Sequence, residues 1–170
     1  LDDTDVSSVV ALTRRPLSLP HPKLHEGVVD FASVADFALP PVDDYFCCLG
    51  TTMAKAGSQA AFRAVDLDLP VTLARMALAA GATRCFVVSA LGADPRATVF
   101  YHRVKGELEA ALGALPFAAV IAFRPSLLAG PRVETRIGER IGLALARPLA
   151  GMLPARYRPI DADTVAQAML

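Results

Sequence analysis

The sequence has no tryptophan, and aromatic residues make up only 6% of its 170 residues. It has no excess of basic charge, because 17 Lys and Arg balance 17 Asp and Glu. Proteins that bind nucleic acid usually carry a basic excess or stripe, so we expect no nucleic-acid partner. The longest apolar candidate, residues 111–123, contains Gly113 and Pro116. A transmembrane helix needs about 20 apolar residues, so we also expect no membrane partner.

Cysteine is scarce. The three cysteines, Cys47, Cys48 and Cys85, lie in apolar, strand-like segments, and an odd number without loop spacing argues against a disulfide framework. Buried, reduced thiols are typical of the cytoplasm. Residues 1–5 are acidic where a secretory signal would be basic. The sequence therefore predicts a cytoplasmic protein.

Short apolar runs alternate with helical patterns along most of the chain. The hydrophobic fraction of 54% and the mean hydropathy of +0.41 fit a sheet that is buried on both faces. The order predicts a single α/β domain over residues 1–170, with a Rossmann-like, doubly wound, mostly parallel sheet and helices on both faces. The predicted strands are residues 6–12, 26–29, 44–49, 84–89 and 118–123, and the predicted helices are residues 33–37, 59–80, 98–115, 135–146 and 163–170. Pro70 should kink or divide the second helix.

In parallel sheets ligands bind beyond the carboxyl ends of the strands. The residues that follow the predicted strands are polar, basic or small, as a binding site at that edge requires. They are Arg14, Arg15, Asp30, Gly50, Thr51, Thr52, Ser89, Arg124 and Pro125. Residues 131–160 form a small segment that we expect on the substrate side of this edge.

The segment 84–105 carries the most specific pattern. Ser89 ends a strand, and Tyr101 and Lys105 follow on a predicted helix. Residues four apart share one face of a helix, so Tyr101 and Lys105 should point the same way. A hydroxyl, a phenol and an ammonium at a strand end could form a proton-transfer site. A tyrosine packed on the sheet with Lys105 in solvent is the alternative.

These residues resemble the short-chain dehydrogenase/reductase superfamily, and most closely its atypical, Tat-interacting-protein-30-like branch. The matching segments are CCLGTT, KAGS, YHRVKGELE, FRPSLLAG and RPIDADTVAQAM. The resemblance implies that Tyr101 is the general acid–base and that Ser89 hydrogen-bonds the substrate oxygen. It also implies that Lys105 binds the nicotinamide ribose and favours the phenolate. A free phenol has a pKa of about 10 and keeps its proton near neutral pH, so a nearby positive charge is needed to favour the phenolate.

The resemblance also assigns cofactor-binding residues. Arg14 and Arg15 follow the strand that meets the adenosine ribose, where guanidinium groups favour the 2′-phosphate of NADP over NAD. A pair of merely solvated arginines is the alternative. Asp30 would reach the adenine, or cap a helix. The turn Gly50-Thr51-Thr52 would approach the pyrophosphate or the nicotinamide ribose, or be a plain turn. Arg124 and Pro125 would lie beside the nicotinamide, or form only a rigid turn.

The sequence departs from the family pattern at two places. The first strand and its Gly-rich phosphate loop are missing before residue 6, so we expect the sequence to be a piece of a longer chain. Asp66 stands where many relatives carry an asparagine that holds a proton-relay water. A carboxylate charge there would oppose the phenolate of Tyr101.

The resulting hypothesis is an NADP-dependent oxidoreductase that acts on a small carbonyl or alcohol. The alternative is a non-catalytic NAD(P)-binding sensor that acts through protein partners, and a dimerisation scaffold is a third interpretation. The expected partner is a small-molecule substrate. A homodimer is the oligomeric state that we consider. No metal site is predicted, because His21 and His25 lack ligands at zinc spacing.

Overall fold

A computed structural model describes residues 1–126, 128–129 and 154–170. The predicted helix at residues 135–146 and most of the predicted substrate-side segment lie outside the described residues. The chain divides into two compact units, Leu1–Pro40 and Pro41–Leu170, and each is described by itself.

The first unit contains two parallel strands. Strand β1 (Val9–Thr13) pairs with β2 (Leu24–Val28) in a register that joins Val9 to Leu24 and Thr13 to Val28. A short 3-10 helix, Val34–Asp36, follows. The sequence predicted both strands, with boundaries displaced by one to three residues.

The second unit is organised on a three-stranded parallel sheet. Its order is β3 (Asp44–Cys47), β4 (Arg84–Val88) and β5 (Ala119–Phe123). The short strands β6 (Leu128–Ala129) and β7 (Ile160–Asp161) also pair in parallel, and helix α5 (Ala162–Met169) follows β7. A 3-10 helix, Ala155–Tyr157, precedes β7. The predicted parallel α/β architecture is therefore confirmed.

Helices pack on the face of this sheet that presents Cys47, Cys85 and Val87. The helices are α1 (Met53–Ala56), α2 (Gln59–Arg63), α3 (Leu69–Ala79) and α4 (Phe100–Gly113). Their side chains in the core include Phe62, Ala74 and Leu108, each at most 1% exposed. On the alternate side of the strands, Phe46 stacks on Phe86 with ring centroids 4.6 Å apart.

A π-helical turn, Ala64–Asp68, joins α2 to α3. The Leu69 N–H donates to the carbonyl of Ala64, five residues back, where an α-helix would use a residue four back. Pro70 follows within the first turn of α3 and has no N–H to donate to the carbonyl of Asp66. The sequence predicted that Pro70 kinks or divides the helix, and the structure shows a wide π-helical turn just before Pro70.

The loop between β4 and α4 packs tightly on the helix at Gly106. A Cβ at Gly106 would lie 2.2 Å from the Asp94 carbonyl carbon and 2.3 Å from the Pro95 nitrogen. The Asp94 N–H donates to the carbonyl of His102 at 3.2 Å. Only a residue without a side chain allows this approach, so Gly106 fixes α4 against the loop that follows Ser89.

The three thiols are free, but only two are buried. Cys47 and Cys85 are 2% and 0% exposed, whereas Cys48 is exposed. The prediction of buried thiols is therefore wrong for Cys48, because it follows the last residue of β3 on the alternate side of the strand. Burial, with the neighbouring Cys47, raises the pKa of Cys85 to about 12.

We expect alkylation of the native protein to modify Cys48 and to spare Cys47 and Cys85. Alkylation requires the reagent to reach the sulfur, and Cys47 and Cys85 are almost fully buried, whereas Cys48 is exposed. The raised pKa of Cys85 further reduces its reactive thiolate at neutral pH. Peptide mapping by mass spectrometry after iodoacetamide treatment, with and without denaturant, checks this. Equal modification of Cys85 in both conditions would contradict the described core.

None of the helices in the described part of the chain is both long enough and apolar enough to span a bilayer.

Candidate functional site

The carboxyl ends of β3, β4 and β5 form one edge of the sheet, because the three strands are parallel. Gly50 and Thr51 follow β3, Ser89 follows β4, and Arg124 follows β5. The Ser89 N–H donates to the Phe123 carbonyl at 2.7 Å, which continues the pairing of β4 and β5 by one step. The structure thus brings strand-end residues from the second unit to a common edge, as the sequence predicted.

Helix α4 carries Tyr101 and Lys105 one turn apart. Tyr101 is 38% exposed, and its ring meets Phe62 edge-on with centroids 6.1 Å apart. Phe62 also meets Phe100 edge-on at 5.5 Å. Lys105 is only 4% exposed, so the alternative in which Lys105 lies in solvent is wrong.

The Lys105 ammonium faces the carboxylate of Asp66. Lys105 Nζ lies 2.9 Å from Asp66 Oδ1, and Asp66 is 1% exposed. The second carboxylate oxygen, Oδ2, accepts a hydrogen bond from the Thr51 N–H at 2.7 Å. The buried carboxylate therefore links helix α4 to the residues just beyond β3.

Ser89 carries a buried hydroxyl that has no hydrogen-bond partner in the part of the chain that the structure describes. The residue is 4% exposed, and its Oγ makes no hydrogen bond to any of the residues that the structure describes. Buried polar atoms are nearly always hydrogen-bonded, so an unpartnered one needs an explanation. A ligand oxygen at the sheet edge would supply the missing partner.

The turn after β3 exposes Gly50 to solvent, and the residues that follow make hydrogen bonds within the protein. A Cβ at Gly50 would lie 3.4 Å from Asp66 Oδ1 and 3.9 Å from Lys105 Nζ, so the glycine lies directly over the ion pair. The Thr52 side chain caps α1 by accepting from the Lys55 N–H at 3.2 Å. Thr52 therefore has a local structural role, while Gly50 presents bare backbone to solvent.

Arg124 is engaged with helix α4. Its Nε donates to Glu109 Oε1 at 3.0 Å and its Nη2 to Glu109 Oε2, a two-point ion pair. This hydrogen bonding raises the pKa of Arg124. The neighbouring Pro125 accepts from the Leu91 N–H through its carbonyl at 2.9 Å. These contacts fix the turn after β5, and a cofactor contact by Arg124 and Pro125 stays a prediction.

The remaining predicted cofactor residues lie in the first unit. Arg14 and Arg15 follow β1, both are exposed, and neither pairs with a carboxylate of the described chain. Thr13, just before them, has a buried Oγ1 without a hydrogen-bond partner in the same described residues. Asp30 accepts from the Ala32 N–H at 3.0 Å and so closes a local turn.

His102 packs against the loop at Gly92. Its Cε1 and Nδ1 atoms would each lie 3.3 Å from a Cβ at Gly92, which has φ +84°. Within the described ranges, no three His, Cys, Asp or Glu side chains come together as metal ligands.

Several polar groups of the second unit lie at the edge where parallel sheets bind ligands. They are the buried Lys105 ammonium, the exposed Gly50 backbone and the buried Ser89 hydroxyl, which has no hydrogen-bond partner among the described residues. A partly exposed phenol stands one helical turn from the ammonium. Together with the sheet, this arrangement defines a protein of Rossmann-like α/β fold.

Comparison with curated proteins places the chain more narrowly. Protein HTATIP2 of Rattus norvegicus is 36% identical over 172 residues, covering 96% of this chain and 69% of that protein. The mitochondrial protein FMP52 of Coccidioides immitis is 36% identical over 153 residues, covering 82% of this chain and 62% of that protein. The chain belongs to the atypical short-chain dehydrogenase/reductases, the NAD(P)-binding Rossmann-fold family that includes HTATIP2 and FMP52. No family model matches the sequence.

Solved structures show the same fold. The enzyme WbmG of Bordetella bronchiseptica, in complex with NAD, matches with a TM-score of 0.63 at 15% identity, covering 96% of this chain and 60% of that one. MoeE5 in complex with UDP-glucuronic acid and NAD matches with a TM-score of 0.61 at 24% identity, covering 82% of this chain and 54% of that one. The chain therefore spans little more than half the length of these structures.

The comparisons correct one prediction. The FMP52 relatives from several fungi are named mitochondrial proteins, so the inferred cytoplasmic location is contradicted. The inference relied on reduced thiols and an acidic first segment. Reduced thiols do not distinguish between compartments that both lack disulfide formation.

Asp66 is the site residue whose contact the sequence did not reveal. The sequence assigned it to a water-holding position, where its charge would oppose the Tyr101 phenolate. The structure instead pairs its carboxylate with Lys105. No periodic pattern could show this, since residues 66 and 105 lie on different elements and meet only through the tertiary fold.

Proposed function

We propose that the protein is an NADP-dependent oxidoreductase that transfers a hydride to or from a small carbonyl or alcohol compound. The observation that carries the proposal is a buried Lys105 on α4, one helical turn from the partly exposed Tyr101. Just after β4, the buried Ser89 hydroxyl has no hydrogen-bond partner among the described residues. The structural neighbours WbmG and MoeE5 are both in complex with NAD, which supports a nicotinamide dinucleotide here.

The chain's own residues then have distinct roles. Tyr101 gives a proton to the substrate oxygen during reduction and takes it back during oxidation. Ser89 donates a hydrogen bond to the same oxygen through its hydroxyl, which the described protein leaves without a partner. Lys105 holds the nicotinamide ribose through N–H groups that do not face Asp66 and favours the phenolate by its charge. The bound cofactor supplies the hydride.

Binding of the cofactor involves residues at several strand ends. The exposed backbone at Gly50 approaches the phosphates or the ribose with no side chain of its own in the way, and Thr51 and Thr52 follow it in the same turn. Asp30 binds the adenine, and Pro125 with Arg124 lines the nicotinamide side. The substrate remains a small molecule in this proposal, and the oligomeric state that we propose is a homodimer.

A carbonyl-reduction assay tests the proposal. The full-length protein is mixed with deuterated NADPH and a panel of small aldehydes and ketones, and deuterium in the alcohol product is measured by mass spectrometry. We expect transfer to at least one class of carbonyl. Saturable NADPH binding with no transfer across the panel would contradict the enzymatic proposal and favour a cofactor-binding sensor.

We expect replacement of both Arg14 and Arg15 by alanine to weaken NADPH binding and to leave NADH binding nearly unchanged. Neither guanidinium pairs with a described carboxylate, so both are available to the 2′-phosphate. Hydrogen bonds to charged groups contribute about 1.5–3 kcal/mol, which corresponds to a loss of about 10- to 100-fold in affinity. Isothermal titration with both cofactors measures the two dissociation constants.

Arg75→Ala is the matched control, since Arg75 is an exposed arginine on α3. It should leave both dissociation constants unchanged. Equal weakening of NADPH and NADH in the double variant would refute a 2′-phosphate contact at Arg14 and Arg15.

A further inference from the structure

The connection from β1 to β2 contains a basic loop, residues 14–20, that is exposed at every position. Arg14 and Arg15 open this loop, and Ser18 follows Arg15 by three residues. Neither arginine forms an ion pair with another residue that the structure describes. Exposed loop tips are readily reached by other enzymes, as their preferred proteolysis shows, so the Ser18 hydroxyl is accessible to a modifying enzyme.

We propose that Ser18 is a phosphorylation site and that its phosphate binds Arg14 and Arg15 in place of the 2′-phosphate of NADPH. This inference rests on the proposed function, because it concerns how the same two arginines are occupied. A serine kinase transfers the γ-phosphoryl group of ATP to Ser18 Oγ. The new O–P bond forms as the bond from that phosphorus to the ADP oxygen breaks, and the hydroxyl proton is released to solvent.

The sequence around Ser18 carries a charge pattern that a kinase can recognise. Two guanidinium groups lie three and four residues before the hydroxyl, and residues 14–20 contain no aspartate or glutamate. Kinases select their substrates partly by complementary charge. A serine kinase with an acidic substrate groove therefore favours this exposed segment.

The backbone keeps Ser18 close to the two arginines. Pro16 and Pro20 have fixed φ angles, and Ser18 itself has a φ of +53°, in the left-handed region typical of turns. Three residues span at most about 11 Å even when the chain is fully extended. A phosphate on Ser18 is therefore within reach of the long Arg15 side chain.

The charges around the basic loop favour the same pairing. Glu26 on β2 accepts a hydrogen bond from the Leu17 N–H at 3.1 Å, so its carboxylate lies beside the residue that precedes Ser18. A phosphoserine carries a charge of about −1.5 to −2 at neutral pH, which that carboxylate repels. Guanidinium groups bind phosphate oxygens through paired hydrogen bonds, so Arg14 and Arg15 are the favourable partners.

A phosphate on Ser18 and the 2′-phosphate of NADPH are both phosphate monoesters, so they compete for the same guanidinium groups. The phosphate on Ser18 is attached to the chain, which gives it a local concentration on the order of millimolar. Its negative charge also repels the 2′-phosphate. NADH has no 2′-phosphate, so phosphorylation of Ser18 lowers the affinity for NADPH selectively.

Treatment of the full-length protein with a kinase tests whether Ser18 accepts phosphate. The native protein is incubated with ATP and the catalytic subunit of cAMP-dependent protein kinase, which selects serines that follow arginine. Peptide mapping by mass spectrometry then locates the phosphate. We expect phosphate on Ser18 and no phosphate at this position in Ser18→Ala. A native protein without phosphate on Ser18 would overturn the inference.

Cofactor binding tests what the phosphate does. Phosphoserine is placed at position 18 of the full-length protein during translation, and isothermal titration measures the dissociation constants of NADPH and NADH. We expect the constant for NADPH to rise about tenfold or more, as the loss of charged hydrogen bonds from two arginines predicts, and that for NADH to stay nearly unchanged. Unchanged binding of NADPH, or equal weakening of both cofactors, would overturn the inference.

Phosphoserine at position 8 is the matched control. Ser8 is exposed and lies just before β1, at the opposite end of the strand from Arg14, so both dissociation constants should stay as in the unmodified protein. With Arg14 and Arg15 both replaced by alanine, phosphoserine at position 18 should no longer change the constant for NADPH. A phosphate that still weakens NADPH binding in this background acts without the arginines, and that result would overturn the inference.

The unmodified protein separates this inference from the proposed function. If it binds NADPH and reduces a carbonyl while phosphoserine at position 18 has no effect, the inference fails and the proposed function stands. If it binds neither NADPH nor NADH, both are overturned.

Discussion

Tyr101→Phe should lower kcat for carbonyl reduction by about 100- to 10,000-fold, the range that a positioned general acid contributes. The substitution removes one hydroxyl and keeps the ring that packs edge-on against Phe62. The fold should therefore be preserved, and NADPH should bind with a dissociation constant close to that of the wild type. Single-turnover reduction under saturating NADPH measures the chemical step directly.

His102→Gln is the control for this experiment. His102 is adjacent to Tyr101, is the other candidate proton donor by sequence position, and packs against Gly92. Its replacement should change kcat little compared with Tyr101→Phe. Equal turnover by wild type and Tyr101→Phe would remove Tyr101 from the proton-transfer role.

Gly106→Ala should destabilise the protein by about 3 kcal/mol or more, at or above the upper end of the usual cost of overpacking. The new Cβ would lie 2.2 Å from the Asp94 carbonyl carbon and 2.6 Å from its Cα. These are backbone atoms, which cannot move aside as a flexible side chain can. The loop after Ser89 would have to separate from α4, and Lys105 lies one residue before the clash.

Gly113→Ala serves as the matched control at the end of the same helix. Apart from its chain neighbours and the backbone of its own helix, no described atom lies within 4 Å of a Cβ at this position. Alanine favours a helix over glycine by about 0.5–1 kcal/mol, so the control should leave the protein as stable or slightly more stable. Urea unfolding followed by circular dichroism compares the two variants. Similar urea midpoints for Gly106→Ala and Gly113→Ala would contradict the close packing of the loop on Gly106.

Much of the fold could be predicted from the sequence because parallel strands leave a strong local signal. Each strand of the main sheet is a short apolar run, and each predicted boundary falls within two residues of the observed one. The Tyr101 and Lys105 pair was equally accessible, since residues four apart on a helix share a face. These features depend on neighbours in the sequence.

The features that the sequence missed depend on tertiary contacts. Asp66 meets Lys105 across 39 positions of chain, through a π-helical turn that a pattern with a period of 3.6 residues does not predict. Arg124 could equally have faced a ligand, and only the fold shows its two-point pairing with Glu109. Cys48 resembled its buried neighbour Cys47 in sequence, yet strand alternation exposes it.

The location of the protein was predicted wrongly for a different reason. The number and placement of the cysteines suggested that the thiols stay reduced. Reduced thiols occur in more than one compartment, so they do not identify the location. The mitochondrial names of the FMP52 relatives supplied information that no residue pattern carried.

Equilibrium binding of nicotinamide cofactors to the full-length protein tests the central claim most directly. We predict saturable binding of NADPH by isothermal titration, a higher melting temperature in its presence and weaker binding of NADH. A protein whose melting temperature and titration signal are unchanged by both cofactors would contradict the account, because the edge formed by Gly50, Ser89 and Lys105 would then have no nucleotide to hold.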